Sequence, residues 1–191
     1  MTAPSPDGTP AAPATGGTRL LILFILIGAA LAVALGVYGR VHDPSGRALF
    51  TLGFPSLMWM KVTLATAAMV LAIVQLFTAL RMFGRIGHGP VPRATALTHR
   101  ISGVLAVVLS VPVAFHCLWS LGFGTYDTRV LVHSLLGCAF YGVFVTKMLA
   151  LRGRRMPGWA LPLLGGALFT AMVVVWLTSA AWFFANGAPD Y

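Results

Sequence analysis

Two histidines, His116 and His133, lie inside apolar segments on either side of a short turn. If both segments are helices, the two rings lie roughly 6–9 Å below the same membrane surface, given a rise of 1.5 Å per residue. Neutral imidazole is a good iron ligand and is less costly in lipid than a charged group. The spacing therefore predicts one haem b near the outer leaflet, held edge-on between two antiparallel helices by His116 and His133 as axial ligands.

The same histidines have a plainer interpretation, in which each ring only hydrogen-bonds a neighbouring helix, a contact that contributes about 1 kcal/mol. The Cys-x-x-Cys-His motif of covalent haem attachment is absent from the sequence. A third interpretation adds His42, which follows the first apolar run on the same side. With His116 and His133 it forms a candidate copper or zinc site. Cys117 is not expected to share a site with His116, because adjacent helical residues point about 100° apart.

Three further polar residues could serve the same cofactor. The ammonium of Lys61, near the start of the second apolar run, either snorkels to the membrane surface or pairs with a haem propionate. His99 and Arg100 form a candidate polar site at the inner leaflet, for a quinone, a haem propionate or a lipid phosphate; interfacial anchoring is the alternative. His99 lies about 100° around the helix from His116, so a second haem stacked on the same helix face is not expected.

Five apolar runs must position these residues. Hydrophobic residues make up 58% of the 191-residue chain and charged residues only 9%, which is typical of a polytopic helical membrane protein. A membrane-spanning helix needs about 20 mainly apolar residues. The sequence therefore predicts an all-α bundle of five transmembrane helices, in which short connections make consecutive helices antiparallel neighbours. The runs are residues 20–38, 57–80, 101–122, 130–151 and 159–185.

The remaining sequence predicts domain organisation and orientation. Residues 1–18, rich in Pro, Ala, Thr and Gly, are predicted to be a disordered cytoplasmic tail. Residues 19–186 form a single transmembrane domain, and residues 187–191 form a short outer tail. Most basic residues fall on one side, so the positive-inside rule places the N-terminus in the cytoplasm and the C-terminus outside the plasma membrane. These residues are Arg19, Arg81, Arg85, Arg93, Arg100, Lys147, Arg152, Arg154 and Arg155.

Several classes of function are disfavoured. The net charge of +9 does not indicate nucleic-acid binding, because the arginines lie between apolar runs and the bilayer is their expected partner. Cys117 and Cys138 both lie within apolar runs, which argues against a disulfide framework. The sequence has no Ser-His-Asp, paired-carboxylate or phosphate-loop arrangement of the kind that a hydrolase or nucleotide enzyme needs.

Some of these runs resemble known families. VTLATAAMVLAIVQLFTALRMFGR, HRISGVL, PVAFHC, HSLLGCAFYGVFVTK and WLTSAAWFF are similar to an uncharacterised family of small actinobacterial membrane proteins over about residues 36–185. That resemblance implies no activity. A weaker resemblance is to membrane b-type cytochromes, in which histidines on neighbouring helices hold haem. HRISG at 99–103 also resembles the Ser-x-x-His-Arg-x-Ser/Thr-Gly segment near the quinone in succinate dehydrogenase cytochrome b subunits, although Ala96 stands at the leading serine position.

The sequence thus predicts a b-type cytochrome-like membrane protein that carries electrons between a membrane donor, such as a quinol at His99 and Arg100, and a redox partner. Two alternatives stay open. One is a non-catalytic membrane subunit or assembly factor, and the other is a copper- or zinc-handling protein that uses His42, His116 and His133. Whether the protein is an enzyme is left open by these residues.

Overall fold

A computed structural model describes residues 15–153 and 156–187. Over these residues the chain is helical and has no strands, and its five long helical segments are each long and apolar enough to cross a membrane. The predicted all-α fold with five spans is confirmed. The helices are α1 (Thr15–Val41), α2 (Leu57–Met82), α3 (Arg93–His116, continued by a π-helical turn, Cys117–Leu121), α4 (Thr128–Arg152) and α5 (Ala160–Trp176, continued by a π-helical turn, Leu177–Ala181, and a last α-helical turn, Trp182–Asn186).

The helix ends differ from the predicted apolar runs where polar residues extend a helix. α1 begins at Thr15, so residues 15–18 of the predicted tail are helical. α3 begins at Arg93, directly after Pro92, so the polar stretch RATALTHR forms its first two turns. Residues 1–14 of the predicted tail and residues 188–191 of the predicted outer tail lie outside the described residues, as do Arg154 and Arg155.

Side-chain caps begin two of the helices, α2 and α4. The Ser56 hydroxyl accepts from the backbone N–H of Trp59 at 3.2 Å, which starts α2. The Asp127 carboxylate accepts from the backbone N–H of Val130 at 2.9 Å, which starts α4. Each cap satisfies a backbone donor that has no partner within the first helical turn. Both caps lie at the same end of the bundle.

The helices pack in the order α1, α4, α5, α2, α3, and the π turn of α3 closes back onto α1. Within the described residues, α3 does not pack along α4, and α1 does not pack along α2. The prediction that consecutive helices are neighbours is therefore wrong for these two pairs. The physical reason for the α1–α4 pairing is a close crossing at Gly28 and Gly142, where a Cβ on either residue would overlap the backbone of the other.

Residues 42–56, here called the strap, cross the end of α3. The backbone N–H groups of Ser45 and Gly46 donate to the carbonyls of Trp119 and Ser120 at 3.3 and 3.0 Å. The Ser120 hydroxyl in turn donates to the Arg47 carbonyl at 2.8 Å. This end of the bundle, which also holds residues 122–127, is called the strap end. The opposite end, with residues 83–92 and the α4–α5 connection, is called the loop end.

Candidate functional site: a cavity near the strap end

A cavity of about 290 Å³ lies among the helices in the half of the bundle nearest the strap end, and all five helices contribute to its lining. Its volume lies just below the roughly 300–1,000 Å³ of typical small-molecule sites. Most of the lining is apolar, with side chains such as Val62, Phe140 and Met172. The described lining residues include no aspartate or glutamate. The cavity thus suits a ligand with an apolar body. The few polar side chains of the lining determine which class of ligand fits.

His133, on α4, borders the cavity with its ring fixed against α5. Its Nδ1 lies 3.3 Å from the carbonyl oxygen of Val175 and 3.2 Å from the hydroxyl oxygen of Thr178. A carbonyl can only accept, and the Thr178 hydroxyl already donates to the Val174 carbonyl at 2.7 Å, so Nδ1 carries the proton in this arrangement. Nε2 then carries the lone pair, and the ring also makes a side-chain hydrogen bond with the Cys117 thiol. Metal-ligating histidines are commonly held in this way.

Cys117 borders the same cavity from α3, as the first residue of the π turn. Its thiol lies close to the side chains of His133 and Lys61. The Cys117–His133 pair therefore faces across the gap between α3 and α4, two helices that do not pack along each other. Lys61, on α2, points into the cavity rather than to the surface. The pairing of Lys61 with a haem propionate stays a prediction.

His116 has no exposed surface (0%) but is not part of the cavity lining. Its Nδ1 donates to the carbonyl of Pro112 at 2.9 Å, and its ring meets Phe50 of the strap edge-on, with ring centroids 4.5 Å apart. Its Nε2 is buried and has no hydrogen-bond partner among the described residues. Because adjacent helical residues point about 100° apart, Cys117 reaches the cavity and His116 does not. The structure does not bring His116 and His133 to one cavity.

His42 lies at the start of the strap between two aromatic rings, Tyr38 and Trp119, at centroid distances of 5.1 and 4.7 Å. Its Nε2 is also buried without a partner in the described part of the chain. His42, His116 and His133 therefore occupy three different surroundings. Across residues 15–153 and 156–187, no three His, Cys, Asp or Glu side chains are grouped closely enough to hold a metal ion. The predicted copper or zinc trio is not assembled.

Two cationic side chains border the cavity. The Arg129 guanidinium donates to the Thr178 carbonyl at 2.7 Å, lies 3.6 Å from the Asp127 carboxylate and packs 4.1 Å over the Trp182 ring. Lys61 has no carboxylate partner among the described residues. Its ammonium instead hydrogen-bonds the Cys117 thiol, and an ammonium without a carboxylate partner inside a membrane bundle marks a functional site by default. The cavity therefore favours a ligand with an anionic group at one end.

The predicted quinone site at His99 and Arg100 lies toward the loop end. The Nδ1 of His99 lies 2.8 Å from the Thr78 hydroxyl, and the amide of Gln75 donates to the His99 carbonyl and to the Ser102 hydroxyl. Arg100 is exposed, whereas His99 is half-buried, so the two side chains do not form one pocket. Lys147 of α4 lies close enough to His99 to interact with it electrostatically.

Sequence reasoning did not identify three residues of this site: Cys117, Arg129 and Thr178. Cys117 and His116 do not share a site, as the sequence predicts, but Cys117 borders the cavity and His116 does not. Arg129 and Thr178 had a usable signal in the sequence, since an arginine lies in the first turn of the fourth helix and a threonine interrupts an apolar run. Both π turns border the cavity, at Cys117 and at Thr178, as π turns at functional sites often do.

The chain matches a protein family. The model of a family described as "Family of unknown function (DUF6529)" matches residues 21–189. No curated protein and no solved structure matches the chain.

Proposed function

Since the chain belongs to this family of unknown function, we propose from its cavity alone that it holds one haem b near the strap end and transfers electrons in the membrane. The proposal rests on the position of the His133 ring in the cavity and on the hydrogen bonds of its Nδ1. Its Nδ1 is held against α5, and its ring borders the apolar cavity beside the Cys117 thiol. Histidine nitrogens held in this way are the usual protein ligands of haem iron.

The rest of the cavity supports an amphipathic anion of the haem kind. Haem b combines an apolar macrocycle with two propionates, and it supplies one-electron chemistry when bound. The apolar lining would hold the macrocycle, while Lys61 and Arg129 are the two cations available to the propionates. The absence of carboxylates from the described lining removes the groups that would repel them. His116, the predicted second ligand, does not border this cavity, so the proposal rests on His133.

The orientation and the redox partners are parts of the same proposal. We place the strap end outside and the loop end in the cytoplasm of a plasma-membrane protein, because the basic residues concentrate at the loop end. A quinol bound near His99 would lie about 27 Å from Cys117 along α3, at 1.5 Å per residue. The proposed donor is therefore a quinol near the strap end or a partner subunit, with the His99 site holding a lipid or a second quinone.

Absorption spectroscopy tests the proposal directly. The full chain is purified in detergent from cells that make haem, and a reduced-minus-oxidised spectrum is recorded. We expect sharp α and Soret bands in the natural protein, their loss in His133→Ala and their retention in His88→Ala, a matched change in an exposed loop residue. A natural protein without haem bands, or a His133→Ala variant with the full spectrum, would overturn the proposal. Stoichiometric copper or zinc in a haem-free protein would favour the metal-handling alternative.

A further inference from the structure

We infer that an anionic phospholipid binds at the loop end through its phosphate, which lies against Lys147 and His99. The site is the loop-end part of the gap between α3 and the α1–α4 pair, here called the seam. The inference selects the lipid among the ligands proposed for His99 and rests on that part of the proposed function, but it does not depend on the haem. The predicted neighbour of His99 was Arg100, which is exposed. The structure instead brings His99 next to Lys147 of α4.

Lys147 lies inside the bundle without a counter-charge. Its Nζ lies 3.9 Å from the position that a Cβ on Gly165 of α5 would occupy, and it is also close to His99 of α3. Since α3 and α5 are not neighbours in the packing order, an atom near both lies in the interior. Lys147 makes no hydrogen bond and no ion pair with the described residues, whose aspartates, Asp43 and Asp127, lie at the strap end. An unpaired ammonium at membrane depth indicates a functional site.

The seam gives a lipid headgroup access to this ammonium from the side. Over the described residues, α3 does not pack along α1 or α4, and the π turn of α3 closes the gap only at the strap end. Lys147 and His99 lie about 8 and 9 Å inside the loop-end termini of α4 and α3, at 1.5 Å per residue. Basic pockets between membrane helices on the cytoplasmic side are typical sites for anionic lipid headgroups. A phosphate at this depth can reach both residues while its acyl chains stay in the bilayer.

The hydrogen bonds of His99 make it a suitable second contact. The Thr78 hydroxyl donates to the Val74 carbonyl at 2.7 Å, so it accepts from the Nδ1 of His99 at 2.8 Å. Nε2 has no hydrogen-bond partner in the described part of the chain, and it can donate to an anion when the ring is protonated. A phosphate between the two residues also removes the repulsion of a histidinium by the Lys147 ammonium. A quinone, which is neutral, would not supply this charge.

Lipid titration of the full chain tests the inference. Delipidated protein in a neutral detergent is titrated with phosphatidylglycerol and with diacylglycerol, which lacks the phosphate, and binding is followed by native mass spectrometry. We expect only phosphatidylglycerol to bind. Lys147→Met should weaken this binding about tenfold, because a half-buried ammonium interacts with phosphate more strongly than a surface one. Lys147→Arg should retain it, and Arg152→Met, a matched change of an exposed cation on the same helix, should alter it less than about twofold.

Equal losses in Lys147→Met and Arg152→Met, or full binding by Lys147→Met, would overturn the inference. Thermal unfolding checks that the variants are folded: phosphatidylglycerol should raise the midpoint of the natural protein and of Arg152→Met but not that of Lys147→Met. Inorganic phosphate should not displace the lipid, because it lacks acyl chains; displacement at equal concentration would identify free phosphate as the ligand and overturn the assignment to a lipid. Each measurement is made whether or not the protein carries haem, so failure here is distinguishable from failure of the haem proposal.

One residue outside the described part of the chain needs its own control. Asp7 is the acidic residue of the segment that precedes α1, and α1 begins at the loop end. Asp7→Asn should leave the binding of phosphatidylglycerol unchanged. Tighter binding by this variant would show that the chain's own carboxylate is the partner of Lys147, and would overturn the inference.

Discussion

At the scale of the residue, the site depends on which of two adjacent side chains faces the cavity. His116 and Cys117 differ by about 100° in direction, and the packing of α3 on α2 decides between them. Ser102, Ala106 and Ser120 are buried on the same face of α3 as His116, so that face is turned toward α2 and the strap. Cys117 is therefore left to meet His133 and Lys61.

A prediction at this scale concerns the hydroxyl that supports His133. Thr178→Val keeps the shape of the side chain and removes the Oγ1 that lies 3.2 Å from the Nδ1 of His133. Because the partners behind a metal-ligating histidine fix its orientation, we expect haem affinity to fall about 10-fold, the lower end of the usual range. Titration of haem into haem-depleted protein, followed at the Soret band, measures the effect.

Thr66→Val is the matched control, since the Thr66 hydroxyl accepts from the indole of Trp176 at 3.1 Å and does not border the cavity. It should leave haem affinity unchanged. If both threonine variants lowered the affinity equally, the hydroxyl of Thr178 would have no specific role in holding His133.

At the scale of the element, the α1–α4 crossing determines which helices surround the cavity. A Cβ built on Gly142 would lie 2.5 Å from the carbonyl oxygen of Gly28 and 3.0 Å from the Cβ of Ala32. The hydroxyl of Thr146, one turn further along α4, donates to the Phe24 carbonyl at 3.2 Å and so joins the two helices. Small residues let the two backbones approach closely, as in other membrane helix pairs.

Replacing glycine by alanine at this crossing tests whether the close approach of α1 and α4, rather than helix propensity, determines the effect on stability. We expect Gly142→Ala to lower the free energy of unfolding by about 1–3 kcal/mol, because the added methyl group forces the backbones of α1 and α4 apart. Gly166→Ala on α5, where an added Cβ meets nothing within 4 Å, should be neutral or slightly stabilising. Thermal unfolding of the detergent-purified variants measures both. Equal midpoints for the two variants would contradict the close crossing.

The elements also mark the limit of what could be predicted from the sequence. The five spans follow from the lengths of the apolar runs, because the thickness of a bilayer sets how many apolar residues a helix needs. The neighbours of each helix do not follow, since they depend on local contacts such as Gly28 against Gly142 rather than on connection length. The same holds for the site. His133 could be identified as an intramembrane imidazole. Whether Cys117 or His116 borders the cavity depends on the rotation of α3 about its axis, which the pattern of hydrophobic residues does not give.

At the scale of the whole molecule, the cavity lies near the strap end of the bundle, and most of the basic residues lie at the loop end. At the strap end, the strap crosses the end of α3. The Phe123 N–H donates to the Gly39 carbonyl at 2.7 Å, which joins the segment after the π turn of α3 to α1. At the loop end, the Arg81 guanidinium donates to the carbonyls of residues 88–90. Between the ends, the Tyr141 hydroxyl donates to Ser110 at 2.9 Å across the gap between α3 and α4. The two ends therefore present different chemistry to the two sides of a membrane.

The orientation of these ends is the last prediction, and it decides which compartment the haem would serve. Described basic residues of the loop end are Arg19, Arg81, Arg85, Arg93, Arg100, Lys147 and Arg152, so the positive-inside rule predicts that this end is cytoplasmic. In intact cells, a membrane-impermeant maleimide should label Ser45→Cys on the strap, whereas Arg85→Cys should react only after the membrane is permeabilised. The unsubstituted chain gives the background from Cys117 and Cys138, which lie within the bundle. The opposite labelling pattern would place the cavity, and any electron partner that docks over the strap, on the cytoplasmic side.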